Sequence, residues 1–463
     1  MAPLIPPAGT LADGPTVAIA TQGCKLNQAD SGVLARRFAE AGYRIVDAND
    51  SPQVFVLNTC TVTGTADAKA RRALRSARRS NPQALVVATG CLAQRAPDDL
   101  RAMDAVSLVV GNFQKDKLVS LVSDALDPGA LDPGALNPGA QLGSTGETLR
   151  KPDGISFTLK AKAKPKAPKV IRTRASIKIQ EGCDQVCAYC IVPKVRGRER
   201  SIPVAELVEQ INQYAAEGFK EVVLTGTQLG TYGFDLPQTS LAGLLRTIMI
   251  ETTVPRIRVS SLQAQEITPE LLDIWDTGRL CPHFHIPLQS GSDGVLKAMR
   301  RRYDTKTFAA TVERVRRHIT DAGITTDLIV GFPGEDDASF QESLGFASSM
   351  AFSDMHVFPY SPRPGTSAAY YVNLVPEDVK KDRMAQMLAV ARSGFLSFRT
   401  DQMGTARPVL WESSVVKDGT RRWSGLTDNY IRVYGNSMRD LTNVIAHAQL
   451  LEGEGDHPRA EVI

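Results

Sequence analysis

Residues 176–190 read SIKIQEGCDQVCAYC, an alternating apolar strand that runs straight into a loop carrying Cys183, Cys187 and Cys190 in CxxxCxxC spacing. Strands of similar texture recur downstream, each followed by a helix-length interval: EVVLTG (221–226), IRVSS (257–261), HFHIPL (283–288), TTDLIVG (325–331) and DMHVFPY (354–360). Six βα units over about residues 171–360 predict an open or partial (β/α) barrel with its function at the carboxyl ends of the strands. Three thiolates this close can each hold one iron of a [4Fe–4S] cubane, leaving the fourth iron without a protein ligand. A zinc site would need a fourth Cys or His nearby, and none occurs within thirty residues on either side of the loop.

Upstream, TVAIATQGC (16–24), VFVLNTC (54–60) and ALVVATGC (84–91) are apolar runs separated by helix-like stretches over about residues 27–41 and 66–80. This is a βαβαβ pattern, so a parallel α/β sheet is expected over residues 1–123. Each run ends in a cysteine, and successive members are one βα unit apart. Parallel packing therefore brings Cys24, Cys60 and Cys91 to one carboxyl edge, where open α/β folds bind ligands. A second three-thiolate cluster is the favoured reading; the alternative is that these are small buried hydrophobes. The seventh cysteine, Cys281, reads as a buried core residue.

The remaining segments set the domain plan. Residues 124–143 read DALDPGALDPGALNPGAQLG, a five-residue repeat whose prolines and glycines oppose both a helix and a packed core, so residues 124–170 are expected to be a linker or insertion. Lys160, Lys162, Lys164, Lys166, Lys169, Arg172, Arg174 and Lys178 follow with no acidic residue among them, either as a solvated linker or as an RNA-facing strip. The barrel domain and a trailing helix are expected over 171–403. PVLWE, RRWSGLTD, NYIRVYG and NVIAHAQLLEG then read as short strands of a small β-barrel over 404–463, in which Trp411, Trp423, Tyr430 and Tyr434 either fill the core or stack on RNA.

Composition bounds the rest. A chain of 463 residues with 43% hydrophobic and 22% charged residues is neither fibrous nor disordered and calls for about two to four domains. The 54 Lys+Arg against 50 Asp+Glu leave +4, so a polyanion partner must be argued from local clusters. Two stand out: Arg71, Arg72, Arg75, Arg78 and Arg79 on one helix, and Lys194, Arg196, Arg198 and Arg200 after the cysteine loop. Each is either phosphate-binding or merely solubilising. The first basic residue is Lys25, no long apolar run follows it, and no stretch approaches a membrane span. With seven cysteines and no export signal, a cytoplasmic enzyme with reduced thiols and no membrane partner is expected.

Taken together, CDQVCAYC with Tyr189 before its last cysteine, the three strand-end cysteines, and the β-rich close resemble the radical S-adenosylmethionine (SAM) methylthiotransferases over nearly the whole chain except the repeat. The stretches GCKLNQADS, LNTCTVTGTADAKARR and CDQVCAYCIVPKVRGRERS are most similar to the branch acting on threonylcarbamoyladenosine in tRNA. The resemblance implies two [4Fe–4S] clusters, SAM and a TRAM-type RNA-binding barrel. Cys183, Cys187 and Cys190 would hold the SAM-cleaving cluster, and Cys24, Cys60 and Cys91 the auxiliary one. It also implies that Thr225 and Gly226 in LTGTQ bind the SAM amino group, with a simple turn as the alternative, and that Gln289, Ser290 and Gly291 in PLQSGSD line the cavity with Asp327, Gly331 and Glu335 in DLIVGFPGE. Gly331 and Gly334 have the alternative of forming simple turns. Arg300, Arg301 and Arg302 are a solvated helix end or phosphate contacts.

The chemistry implied is one-electron cleavage of SAM to a 5′-deoxyadenosyl radical and insertion of SCH3 at C2 of adenosine 37 in the anticodon stem-loop of tRNA. The electron would come from a donor such as flavodoxin or ferredoxin, and DNA is not an expected partner. Alternatives are the same chemistry on isopentenyladenosine tRNA or a ribosomal protein, and a non-catalytic iron–sulfur RNA-binding protein.

Overall fold

In a computed structural model, described over residues 14–126, 173–417, 419–453 and 455–463, the chain divides into two compact units. One is Met1–Ile171 with Lys194–Arg196; the other is Arg172–Pro193 with Gly197–Ile463. The Pro/Gly repeat from residue 127 onward and the basic residues 160–172 lie outside the described residues. Among the described residues no helix is long and apolar enough to cross a membrane.

The first unit is built on a five-stranded, all-parallel sheet of β1 (Thr16–Thr21), β2 (Arg44–Ile45), β3 (Val54–Thr59), β4 (Leu85–Gly90) and β5 (Leu108–Gly111), in the order β2-β1-β3-β4-β5. The strands β3 (VFVLNT) and β4 (LVVATG) are buried throughout, as near-continuous apolar runs in a parallel sheet should be. Side chains of opposite parity feed two cores. Phe55, Leu57, Val86 and Ala88 pack with Ala70 and Leu74 of the helix Gly64–Ser80, while Val54, Val56, Leu85 and Val87 pack with Leu34 and Phe38 of the helix Lys25–Glu40. The pattern predicted three strands; the edge strands β2 and β5 add to them, too short to stand out in the sequence.

The second unit contains all six expected barrel strands. They are β6 (Arg174–Lys178), then, after the short hairpin β7 (Gln180–Glu181) and β8 (Arg200–Ser201), β9 (Glu221–Thr225), β10 (Arg256–Val259), β11 (His283–His285), β12 (Gly323–Val330) and β13 (Asp354–Pro359). They form two parallel three-stranded sheets, β10-β9-β6 and β11-β12-β13, joined by the bridges Ile257↔Leu280 and Ser261↔His285. Alternation divides the strand residues cleanly. Ile177, Val222, Leu224, Ile257, Phe284, Ile286, Leu328 and Met355 enter the core under the helices. The opposite face, toward the lumen, carries Glu221, Arg256, Arg258, His283, His285, Asp327 and His356.

The chain closes with β14 (Ala406–Lys417), β15 (Thr420–Thr427), β16 (Arg432–Asn436), β17 (Ile445–Leu451) and β18 (Arg459–Val462), a closed barrel in the order β14-β15-β16-β18-β17. Trp411 and Trp423 are buried in its core. The aromatic side chains part company here: Tyr434 lies beneath the Arg422 guanidinium, and Tyr430 leaves the barrel to stack on His283 at 4.1 Å between ring centroids.

Tyr430 belongs to a turn that closes the amino-terminal mouth of the strands. Arg258 Nη1 donates to Asp428 O (2.9 Å) and Arg256 Nη1 to Leu426 O (3.2 Å), while both guanidiniums pair with the buried Glu221 (3.0 and 2.6 Å). The backbone approaches so closely that a Cβ on Gly323 would lie 2.3 Å from Asn429 O. Carbonyls of this turn therefore cap the buried arginines of the catalytic sheet, whose charge Glu221 balances.

Candidate active site

In the first unit three thiols meet at one sheet edge. Thr21 pairs with Asn58 and Thr59 with Gly90, so β1, β3 and β4 end flush. Cys24 N-caps the helix Lys25–Glu40, Cys60 follows β3, and Cys91 opens the helix Cys91–Arg95. The glycines before the outer two are required. At Gly23 (φ +96°) a Cβ would sit 2.8 Å from Cys60 Sγ, and at Gly90 (φ +94°) one would sit 2.5 Å from Asn58 Oδ1. Burial pushes the Cys60 thiol up to about 11, and the neighbouring Cys24 and Cys91 push the same way. Asn112 Nδ2 donates to Cys91 Sγ (3.5 Å), whereas Asn112 Oδ1 and Thr89 Oγ1 are buried without a partner among the described residues.

The second unit presents its own triad. Gly182 (φ +79°), where a Cβ would fall 1.8 Å from Arg198 O, turns the chain from the strands into the loop. Cys183 N donates to Gly197 O and Ala188 N to Met299 O, which pins the loop at both ends. Burial raises the Cys183 thiol to about 11 and the Cys190 thiol to about 12, in each case with adjacent cysteines adding to the rise. Tyr189 packs with Val295, Met299 and Phe332.

Around this loop the expected residues divide. Thr225 is buried and its carbonyl accepts from Ile179 N. Gly226 packs against Gln180, whose Oε1 accepts from Thr227 N (2.9 Å) and Gln228 N (3.0 Å), and the Thr227 hydroxyl is buried without a partner among the described residues. Gln289 takes a left-handed backbone (φ +68°) and bridges to Asp327 O through its N–H. The Ser290 hydroxyl is engaged by Ser343 Oγ (3.0 Å). Gly331 and Glu335 form a turn: Glu335 Oε1 accepts from Gly331 N (2.8 Å) and from Arg383 Nη1 (2.9 Å). Cys281 is buried, as expected.

Three arginine readings need correction. Arg78 donates to Pro82 O, Ala84 O and Ser107 Oγ, so it braces a loop, and only Arg72, Arg75 and Arg79 of that helix are exposed. Arg196, counted with the first unit, is buried against Asp30. Arg301 is no phosphate contact either: Nη1 donates to Cys187 Sγ (3.4 Å) and Nη2 to Gln263 Oε1 (3.1 Å). Gln263 in turn donates to Gln185 and Gln228, and Gln228 donates to Glu266, whose carboxyl burial raises to about 7. Nothing in SSLQAQE signals this network. Arg302 instead lines a cavity of about 340 Å³ with Asp184, Glu199, Tyr232 and Phe234.

Deeper in the lumen, Asp327 lies in register with His356 on the neighbouring strand. His356 Nδ1 lies 3.1 Å from Asp327 Oδ1 and His285 Nε2 lies 3.2 Å from Oδ2, while Thr325 Oγ1 holds His285 Nδ1 at 3.0 Å. Burial raises the Asp327 carboxyl, but the hydrogen bonds and charges of the two histidines outweigh it and hold it well below the usual carboxylate range. Among the described residues these are the one set of three His, Cys, Asp or Glu donors within 4.8 Å of one another. Neither cysteine triad converges that tightly.

Residues 16–111 match the uncharacterized protein family UPF0004 and residues 177–347 the radical SAM superfamily. The chain is 35% identical over 444 residues to a threonylcarbamoyladenosine tRNA methylthiotransferase of Bacillus subtilis, covering 94% of each protein, and 36% identical over 442 residues to one of Thermotoga maritima, covering 95% and 96%. It is also 31% identical over 450 residues to a tRNA-2-methylthio-N6-dimethylallyladenosine synthase of Akkermansia muciniphila, covering 95% and 97%. Among solved structures, a radical SAM methyltransferase from Kitasatospora setae shares the fold at TM-score 0.54 and 15% identity, covering 77% of this chain and 74% of its own.

Proposed function

The chain belongs to the radical SAM tRNA methylthiotransferase family, and from that premise we propose that its substrate is N6-threonylcarbamoyladenosine at position 37 of tRNA, which it converts to the 2-methylthio derivative. The family's enzymes use SAM and [4Fe–4S] clusters. We assign one cluster to Cys183, Cys187 and Cys190 and an auxiliary one to Cys24, Cys60 and Cys91. When bound, the clusters supply one-electron cleavage of SAM and a site for sulfur. The unpartnered Asn112 Oδ1, on the side chain that reaches Cys91, and Thr89 Oγ1, two residues before it, fit such an occupant at the first triad. Asn112 donates to one ligand sulfur and Arg301 to another, which fixes each thiol and offsets its charge. Flavodoxin or ferredoxin suits the role of electron donor, and the tRNA substrate suits a cytoplasmic location.

The observation that carries the nucleoside is the lumen wall. His285, Thr325, Asp327 and His356 make it a hydrogen-bonding surface, suited to the amide, hydroxyl and carboxylate groups of a threonylcarbamoyl substituent and poorly suited to a hydrocarbon isopentenyl group. Nucleoside mass spectrometry of a strain lacking the protein tests this. The expected result is loss of 2-methylthio-threonylcarbamoyladenosine with the isopentenyl derivative retained; the reverse pattern would move the substrate to the isopentenyl branch.

RNA docking draws on exposed charge. Arg72, Arg75 and Arg79 share one face of the helix Gly64–Ser80, and the closing barrel fits an RNA-binding TRAM domain. Replacing the three arginines with glutamate should weaken tRNA binding and flatten the slope of log affinity against log salt by about one per lost phosphate contact. Filter binding at several salt concentrations reads both, and an unchanged slope would remove this helix from the interface.

A further inference from the structure

We propose that Arg301 is the positioning residue that sets how readily the SAM-cleaving cluster accepts its electron, acting through the Cys187 sulfur. The proposal rests on the assignment of that cluster to Cys183, Cys187 and Cys190 made above, and adds the group that governs its reduction. Arg301 owes its place to the end of the helix Asp293–Ala298. Arg300 takes a left-handed backbone (φ +60°), Arg300 N donates to Lys297 O (3.0 Å) and Arg301 N to Leu296 O (2.9 Å), a Schellman-type close that fixes the Arg301 backbone. The same helix end holds the cysteine loop, because Met299 O accepts from Ala188 N (2.9 Å), one residue beyond Cys187. One short turn therefore anchors both the thiol and the cation aimed at it.

The side chain is half-buried, and all three of its nitrogens donate: Nε to Tyr303 Oη (3.2 Å), Nη1 to Cys187 Sγ (3.4 Å) and Nη2 to Gln263 Oε1 (3.1 Å). Gln263 cannot turn its oxygen away, since its Nε2 donates to Gln185 Oε1 (2.9 Å) and Gln228 Oε1 (2.6 Å). Neither Tyr303 nor Gln263 carries a charge. Among the described residues Arg301 makes no ion pair, unlike Arg196, Arg256, Arg258 and Arg383, whose guanidiniums meet buried carboxylates. Glu266, the carboxyl of the same network, is held by Gln228 and by Gln263 N (2.9 Å), not by the guanidinium. A cation withdrawn from water costs free energy unless an anion balances it, and Cys187, deprotonated as a cluster ligand, is the anion within reach. One-electron reduction adds negative charge to the thiolate-bound irons. A fixed guanidinium donating to a ligand sulfur stabilises that charge and raises the potential. Arginine keeps its proton throughout, so this is a constant bias and not a switch.

The test is a redox titration of the cluster-loaded, full-length protein followed by electron paramagnetic resonance, with the two cluster signals told apart by chains in which either cysteine triad is alanine. Arg301→Gln should move the signal that depends on Cys183, Cys187 and Cys190 to lower potential and leave the other in place. At the wild-type midpoint its ratio of reduced to oxidised cluster should fall about 10-fold, which is about 59 mV for one electron. Arg301→Lys, which keeps the charge without the fork, should fall in between. Arg300→Gln, the same charge change on an exposed neighbour, should move neither signal. Formation of 5′-deoxyadenosine by Arg301→Gln should drop with a weak reductant and recover with titanium(III) citrate, a recovery that damage to the fold would not allow. An unmoved signal in Arg301→Gln, or an equal shift in Arg300→Gln, overturns the proposal. If Arg301→Gln loads less than a full cluster, Arg301→Lys carries the comparison: a smaller shift in the same direction supports the proposal and no shift overturns it. If alanine at Cys183, Cys187 and Cys190 removes neither signal, the cluster assignment itself has failed, a result distinct from both.

Discussion

Alanine at Cys183, Cys187 or Cys190 should abolish reductive SAM cleavage, while alanine at Cys24, Cys60 or Cys91 should leave cleavage measurable and stop sulfur insertion. The separation follows from chain geometry: each triad sits in its own compact unit on its own sheet edge. Anaerobically reconstituted wild type should hold iron near eight per chain and either set of variants near four, since each cubane carries four irons. Detection of 5′-deoxyadenosine reads cleavage, and nucleoside analysis reads insertion. Equal loss of cleavage in both sets would refute the division of labour, and wild-type iron near four would count against the auxiliary site.

Glu221→Gln should be among the most destabilising single substitutions in the second unit. Burial alone would raise the Glu221 carboxyl, yet Arg258, Arg256 and Arg174 outweigh it and bring it down to about 2 from 4.5. Removing that charge strands Arg256 and Arg258 against the carbonyls of residues 426–428, and breaking a buried pair from one side costs about 3–5 kcal/mol. Because the folded-state value is depressed, the contribution is complete above about pH 4.5 and fades as pH falls toward 2. The stability gap between wild type and variant should narrow across that window. Chemical denaturation at pH 7 and at lower pH measures it, and a variant within about 1 kcal/mol of wild type at pH 7 would show that the turn bears the load without the carboxylate. By the same reasoning, deleting residues 404–463 should destabilise the catalytic sheet as well as weaken tRNA binding.

The parts of this architecture legible in the sequence were those written in local pattern. The six lumen strands could be read because each is a short apolar alternation ending at a helix-length gap, and the cysteine triads because one is contiguous and the other punctuates three successive strands. The short edge strands β2 and β5 carry too few residues to set a period. Arg78, Arg196 and Arg301 were misjudged together, and for one reason. Charge on a helix or after a loop looks solvated until a distant carbonyl, carboxylate or thiol is folded against it. Asn112, Gln263 and His356 were silent because their partners lie at long sequence separation and their residue types carry no spacing signal.

The cysteines at the ends of β1, β3 and β4 bear on how the protein meets iron shortage. A zinc finger without metal is unfolded, because the metal is its core. Here the first-unit thiols rest on strands whose two faces are already sealed by Leu34, Phe38, Leu74 and their neighbours. A starved cell should therefore accumulate folded, protease-resistant chains with empty thiol sets, ready to regain their clusters without refolding once iron returns.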